Sequence, residues 1–149
     1  MLIIGIGNAY RSDDGAGLAV TRKLKEKNLT GVEIMEATGE GTALIDVWKR
    51  ADRVILADAV DSGEKPGTIH RLDLQKDKIP AKFFHYSTHA FSVAEAVELA
   101  RSLNQLPRRF LIYGIEGANF TSGTELSKEV ERAVATVAEE IAKEVMADA

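Results

Sequence analysis

The sequence predicts an α/β fold: a three-layer sandwich in which a mixed five-stranded sheet, its fourth strand antiparallel, carries helices on both faces. Three observations predict it. Five short apolar runs of strand character are interleaved with four stretches of helical periodicity. The connector between the third and fourth runs, Asp61-Ser-Gly-Glu-Lys-Pro-Gly67, is rich in turn formers and too short for a crossover, so the fourth strand is expected to run antiparallel to its neighbours. No linker interrupts the 149 residues, so residues 1–149 are expected to form a single domain burying roughly two-thirds of the unfolded surface.

Taken in order, Leu2 to Gly7 reads as a buried strand that ends in glycines. The first helix, from about Asp14 to Asn28, aligns Ala16, Ala19, Val20 and Leu24 on one side and ends in the basic run Arg22-Lys-Leu-Lys25, which suits a helix C-terminus. Val32 to Ala37 forms the second strand, Thr42 to Arg50 a short second helix, and Arg53 to Val60 the third strand. The fourth strand, Thr68 to Leu74, is followed by a long connection, Gln75 to Tyr86, that carries the chain back across the sheet. The third helix, about Thr88 to Leu103, repeats Val93, Val97, Ala100 and Leu103 at helical spacing. Its start has two readings: a cap at Ser87 or Thr88, or the capping-box pattern Ser92-Val-Ala-Glu95. Arg109 to Ile115 is the fifth strand, and Val130, Val134, Val137, Ile141 and Val145 mark the fourth helix.

The totals narrow the function classes. Hydrophobic residues at 45% and charged residues at 28% describe an ordinary globular chain. With 19 basic against 23 acidic side chains the net charge is −4, and no basic stripe is present, which argues against nucleic acid or an anionic membrane as partner. The absence of cysteine excludes disulfides, thiolate metal sites and a cysteine nucleophile. The strand-like start and the lack of any window approaching the ~20 apolar residues of a membrane span lead to the expectation of a cytoplasmic protein.

Chemistry is concentrated in Gly5-Ile-Gly-Asn-Ala-Tyr-Arg-Ser-Asp-Asp-Gly-Ala-Gly17, where Asp13 and Asp14 sit as a loop turns into a helix. This is not the dinucleotide fingerprint: Tyr10 stands at the third glycine position, and two carboxylates would repel a pyrophosphate. An acidic, cation-seeking loop fits better. One aspartate suffices as a helix cap, so the second is free to face a cleft; residue types alone leave open which does which. Asp58 interrupts the apolar strand Val54-Ile-Leu-Ala-Asp-Ala-Val60, where a buried carboxylate needs a positive or hydrogen-bonding partner; the plainer reading is a strand end accepting loop amides. His70 occupies an ordinary half-exposed strand position, and His85 and His89 have i, i+4 spacing with His85 outside the helix. If strands one, two, three and five are parallel, Asp14, Asp58 and His89 all fall at the carboxyl edge of the sheet. Two carboxylates and an imidazole with open positions suit a borderline divalent ion such as nickel or zinc. No H-E-x-x-H, G-x-S-x-G or P-loop is present.

Five motifs together carry a resemblance. Gly5-Ile-Gly-Asn8 with Ser12-Asp-Asp-Gly15, Leu56-Ala-Asp-Ala59, Pro66-Gly-Thr68, Ser87-Thr-His89 and Gly123-Thr-Glu-Leu-Ser127 resemble, in order and spacing, the hydrogenase maturation proteases of the HybD/HycI type. The resemblance implies a phosphorylase/hydrolase-like sandwich, usually a monomer. It implies an endopeptidase that removes a C-terminal extension from a nickel-iron hydrogenase large-subunit precursor once nickel is inserted. The metal-binding and catalytic positions of the family fall on Asp14, Asp58 and His89, which gives Asp14 to the metal and leaves Asp13 to the helix start. Nickel is expected as the metal, supplied by the substrate, with another divalent ion as the alternative. Two departures bear on substrate choice: Tyr10 replaces a more usual aliphatic residue, and Thr38-Gly-Glu-Gly41 replaces the commoner Gly-Thr-x-Gly loop. Glu36, Gly39 and Glu40 are the expected recognition residues. A non-catalytic nickel carrier and a Rossmann-like nucleotide binder are the rival readings.

Overall fold

A computed structural model describes residues 1–80 and 93–147 of the chain. Its strands are β1 (Leu2–Ile6), β2 (Glu33–Ala37), β3 (Arg53–Val60), β4 (Ile69–Asp73) and β5 (Arg109–Glu116). Its helices are α1 (Ala16–Glu26), α2 (Gly41–Trp48), α3 (Val93–Ser102) and α4 (Lys128–Ala147), with a 3-10 turn at Ser12–Gly15. The strands form one sheet in the order β2-β1-β3-β5-β4. β1 pairs in parallel with β2 and β3, β3 in parallel with β5, and β4 antiparallel with β5. The mixed sheet and its one antiparallel strand are those the sequence predicts.

Alternation along the strands splits the core in two. Ile3, Ile55, Ala57, Leu111 and Tyr113 pack beneath α1 and α4. Leu2, Ile4, Val54, Leu56, Phe110 and Ile112 pack with residues of α2 and α3, where Trp48 meets Phe110 edge-on at 4.9 Å between ring centroids. The sheet is sealed on both faces, so the strands read as nearly continuous apolar runs, as parallel strands do. The predicted start of α3, at Thr88 or Ser92, lies outside the described residues.

The chain leaves β1 to one side to form β2, then returns to place β3 on the other side of β1. The carboxyl ends of β1 and β3 therefore flank a topological switch point, where connections diverge and leave a crevice. α1 closes down on that crevice through Gly17. A Cβ at Gly17 would lie 2.3 Å from the Ala57 carbonyl oxygen and 2.4 Å from that of Ile6, so only hydrogen fits between the helix and both strands. At Gly7, φ is +150° and an added Cβ would stand 2.0 Å from the carbonyl oxygen of Asp14.

Helix propensity by itself would make Gly17→Ala stabilising by about 1 kcal/mol. The two carbonyl oxygens reverse the sign, and a loss of about 3 kcal/mol or more is expected. Urea unfolding checks this, and an unshifted or raised midpoint would show that the helix and strands can separate freely.

Candidate metal-binding site

Asp14 and Asp58 meet at the switch point. Asp14 lies in the 3-10 turn that links β1 to α1, and this turn rests against β3. Asp58 lies on β3 in register with Gly114 of β5. Strand alternation places it on the α2/α3 face of the sheet, with Leu56 and Val60. Both aspartates are buried, Asp58 to 5% relative exposure. The backbone N–H of Asn8 donates to Asp14 Oδ2 at 3.0 Å, and that of Ala59 donates to Asp58 Oδ1 at 2.8 Å. Burial, followed by the negative charge of Asp14, pushes the Asp58 carboxyl well above the usual aspartate value, while the Ala59 amide pulls weakly the other way.

Two carboxylates converging in a nearly dry crevice can be relieved by a proton or by a cation. The oxygen donors suit a divalent ion. His89, the third predicted donor, lies outside the described residues, as do His85, Ser87 and Thr88. Among the described residues no three histidine or carboxylate side chains form a group able to hold a metal ion.

Asp13, next to Asp14 in sequence, is structural. It was expected to cap the first helix, but neither the 3-10 turn nor α1 has a side-chain cap hydrogen bond. A fully buried Asp13 instead reaches the segment between β5 and α4 and accepts four hydrogen bonds. Ala118 N–H (2.8 Å) and Asn119 N–H (2.9 Å) bind Oδ2, Ser127 N–H binds Oδ1 (2.7 Å), and Ser127 Oγ–H binds Oδ2 (2.8 Å). Burial acts to raise this carboxyl's pKa, but the four donors together outweigh it and hold the group below its ordinary value. Ser127 directly precedes α4, so Asp13 also offers a negative charge to that helix's start.

The expected recognition residues lie along the end of β2 and the following loop. Glu36 is an exposed β2 residue that accepts from Arg22 Nε at 3.1 Å. Gly39 has φ of +94°, and an added Cβ would meet Ile6 Cγ2 at 3.1 Å, which places this loop beside the end of β1. Glu40 is the N-cap of α2 and accepts from the backbone N–H groups of Thr42 (3.1 Å) and Ala43 (2.9 Å). Glu40 thus orders the α2 entry, and Glu36 is the more outward-facing of the two acids.

A fourth buried acid, besides Asp13, Asp14 and Asp58, does not stand out in the sequence. Glu116, 1% exposed, ends β5 at the same carboxyl edge. It accepts from Ser62 N–H at 3.2 Å and from Ser62 Oγ–H, and its Oε1 lies 3.0 Å from His70 Nε2. Its backbone accepts from Gly67 N–H at 2.8 Å, so this residue fastens the loop joining β3 to β4 onto β5, which lies between them. The available signal was an acid closing the apolar run Phe110 to Ile115.

Comparisons with known proteins agree with this architecture. A family model described as hydrogenase maturation protease matches residues 18–144. A protein of Methanocaldococcus jannaschii, described as a candidate hydrogenase maturation protease, is 31% identical over 153 aligned positions, spanning 96% of this chain and 97% of its own length. The hydrogenase expression/formation protein HupD of Thiocapsa roseopersicina is 29% identical, spanning 99% of this chain and 67% of its own. The hydrogenase maturating endopeptidase HybD from E. coli superposes with a TM-score of 0.80 at 26% identity, spanning 94% of this chain and 88% of its own.

Asp13 and Asp58 should respond to pH in opposite senses. The folded pKa of Asp13 is depressed, so its contribution to stability is present above the unfolded value and disappears as pH falls through the folded one. The folded pKa of Asp58 is raised, so the metal-free protein loses stability as pH rises through the interval between its unfolded and folded values. In urea unfolding at neutral pH without metal, Asp13→Asn should cost about 2–4 kcal/mol, because buried donors lose their acceptor. Asp58→Asn should stabilise the protein, and its advantage should shrink on acidification. The same sign of effect for both variants would contradict these electrostatics.

Proposed function

The chain belongs to the hydrogenase maturation protease family, and from that premise we propose that it removes the C-terminal extension of a nickel-iron hydrogenase large-subunit precursor after nickel insertion, recognising the inserted metal. The observation carrying this reading is the convergence of Asp14 and Asp58 in one buried crevice at the switch point, with Asp14's charge acting on Asp58. Each carboxylate oxygen carries two lone pairs, so an oxygen that accepts a backbone N–H can also face a cation. His89 is assigned as the third donor from the family resemblance.

Nickel enters this scheme as part of the substrate. Asp14 and Asp58 present carboxylate oxygens to the metal-loaded precursor and so hold the scissile bond in the crevice. Fixing that geometry lowers the barrier by several kcal/mol on the scale known for intramolecular reactions. The bound ion supplies Lewis acidity for polarising a water or the scissile carbonyl. A precursor without metal gains neither the anchor nor the polarisation, which makes cleavage conditional on loading. The remaining features of the proposal are a monomeric protein acting in the cytoplasm, with a protein substrate and no nucleic-acid or membrane partner. Among the described residues no helix is long and apolar enough to cross a membrane.

Incubation with a nickel-loaded large-subunit precursor, followed by mass analysis, should show a shortened large subunit and a released peptide. Asp14→Ala, Asp58→Ala and His89→Ala should each reduce cleavage about a hundredfold or more while retaining the folded circular-dichroism spectrum. Metal binding with no shortened product would identify a carrier in place of a protease. Unimpaired cleavage by the Asp58 and His89 variants would remove the proposed site.

A further inference from the structure

The loop between β1 and the 3-10 turn carries the most exposed large apolar side chain among the described residues: Tyr10 is 74% accessible. Its backbone is firmly tied. Tyr10 N–H donates to Asn8 Oδ1 at 2.9 Å, and Tyr10 C=O accepts from Gly123 N–H at 3.0 Å. On its C-terminal side, Ser12 N–H donates to Gly123 C=O at 2.8 Å and Ser12 Oγ–H to Thr121 C=O at 2.9 Å. These bonds hold Ser12 at φ +51°, a left-handed conformation that a non-glycine residue keeps only where its surroundings over-determine it. Asn8, which orders Tyr10 through its side chain, also donates its N–H to Asp14 Oδ2. The aromatic ring and the metal-seeking carboxylate thus share one rigid loop.

We propose that Tyr10 is the docking anchor for the precursor polypeptide, taking an apolar side chain of the segment that flanks the metal-bearing site. This rests on the protease reading above. A tyrosine exposes a large apolar area while losing only two side-chain torsions on contact, and a pre-ordered backbone removes most of the remaining ordering cost. Aromatic side chains in such settings carry a disproportionate share of binding energy. The link through Asn8 argues for the occupant: a chain that presents a metal ion to Asp14 brings its flanking residues next to the loop that carries Tyr10. Tyr10 is therefore a specificity residue that acts on binding, with no part in bond cleavage.

The test compares wild type with Tyr10→Ala and Tyr10→Phe, using nickel-loaded large-subunit precursor for cleavage kinetics and for direct binding by titration calorimetry. Tyr10→Ala should raise KM and Kd about tenfold or more with kcat unchanged, and Tyr10→Phe should restore both, since the contact is apolar. All three proteins should share one thermal melting temperature, because the ring is outside the core. Unchanged KM and Kd for Tyr10→Ala, with wild type fully active, would overturn the anchor and leave the protease reading intact. A fall in kcat at constant KM would overturn it as well. Wild type that binds precursor without cleaving it would end the protease reading while Kd still decides the role of Tyr10, and wild type that neither binds nor cleaves would end both.

Discussion

The contact on which the site depends is the one with no side chain in it. Gly17 lets the first turn of α1 press against the Ala57 and Ile6 carbonyl oxygens, closer than any Cβ would permit. That approach carries the 3-10 turn to the end of β3 and delivers Asp14 to Asp58. Were the helix to stand off by the width of a methyl group, the two carboxylates would relax towards solvent and lose their influence on each other. The electrostatic state of the site thus follows from a packing constraint: burial and proximity come from the same close approach.

Asp13 and Asp14 show how neighbouring residues of one type take opposite roles. Asp13 is buried, but four donors surround it, and its charge is stabilised in place. Asp58 is buried against another carboxylate, and its charge is disfavoured. The first arrangement ties the start of α4 to the β1–α1 loop and gives the site a fixed wall. The second leaves an acidic crevice whose strain a divalent ion would relieve. A rigid frame around a destabilised pair is the pattern expected where binding energy is to be directed at a ligand.

Much of this was readable in the residues. Strand and helix identities followed from apolar periodicity, and the antiparallel β4 from the short turn-rich segment at Asp61 to Gly67, because local sequence governs these features directly. Asp14 and Asp58 were identifiable since a carboxylate in an apolar run or doubled at a loop is conspicuous. The partner of Asp13 was not identifiable: Ser127 lies more than a hundred positions away, and a helix cap, the local explanation, is the wrong one. Glu116 and its bonds to Ser62 and His70 were missed for a similar reason, as each residue alone is unremarkable at a strand end, in a turn or on an edge strand.

The sequence by itself determined the elements, their order, the mixed character of the sheet and the acidic nature of the glycine loop, all of which depend on short-range periodicity and turn chemistry. Tertiary structure alone decided that Asp13 is clamped by Ala118, Asn119 and Ser127, that Glu40 caps α2, and that Tyr10 stands exposed on an over-determined loop. Those outcomes depend on hydrogen-bond donors and excluded volume contributed by distant segments. The free energy of a charge or an aromatic ring is set by what surrounds it in space, and that information is absent from its neighbours along the chain.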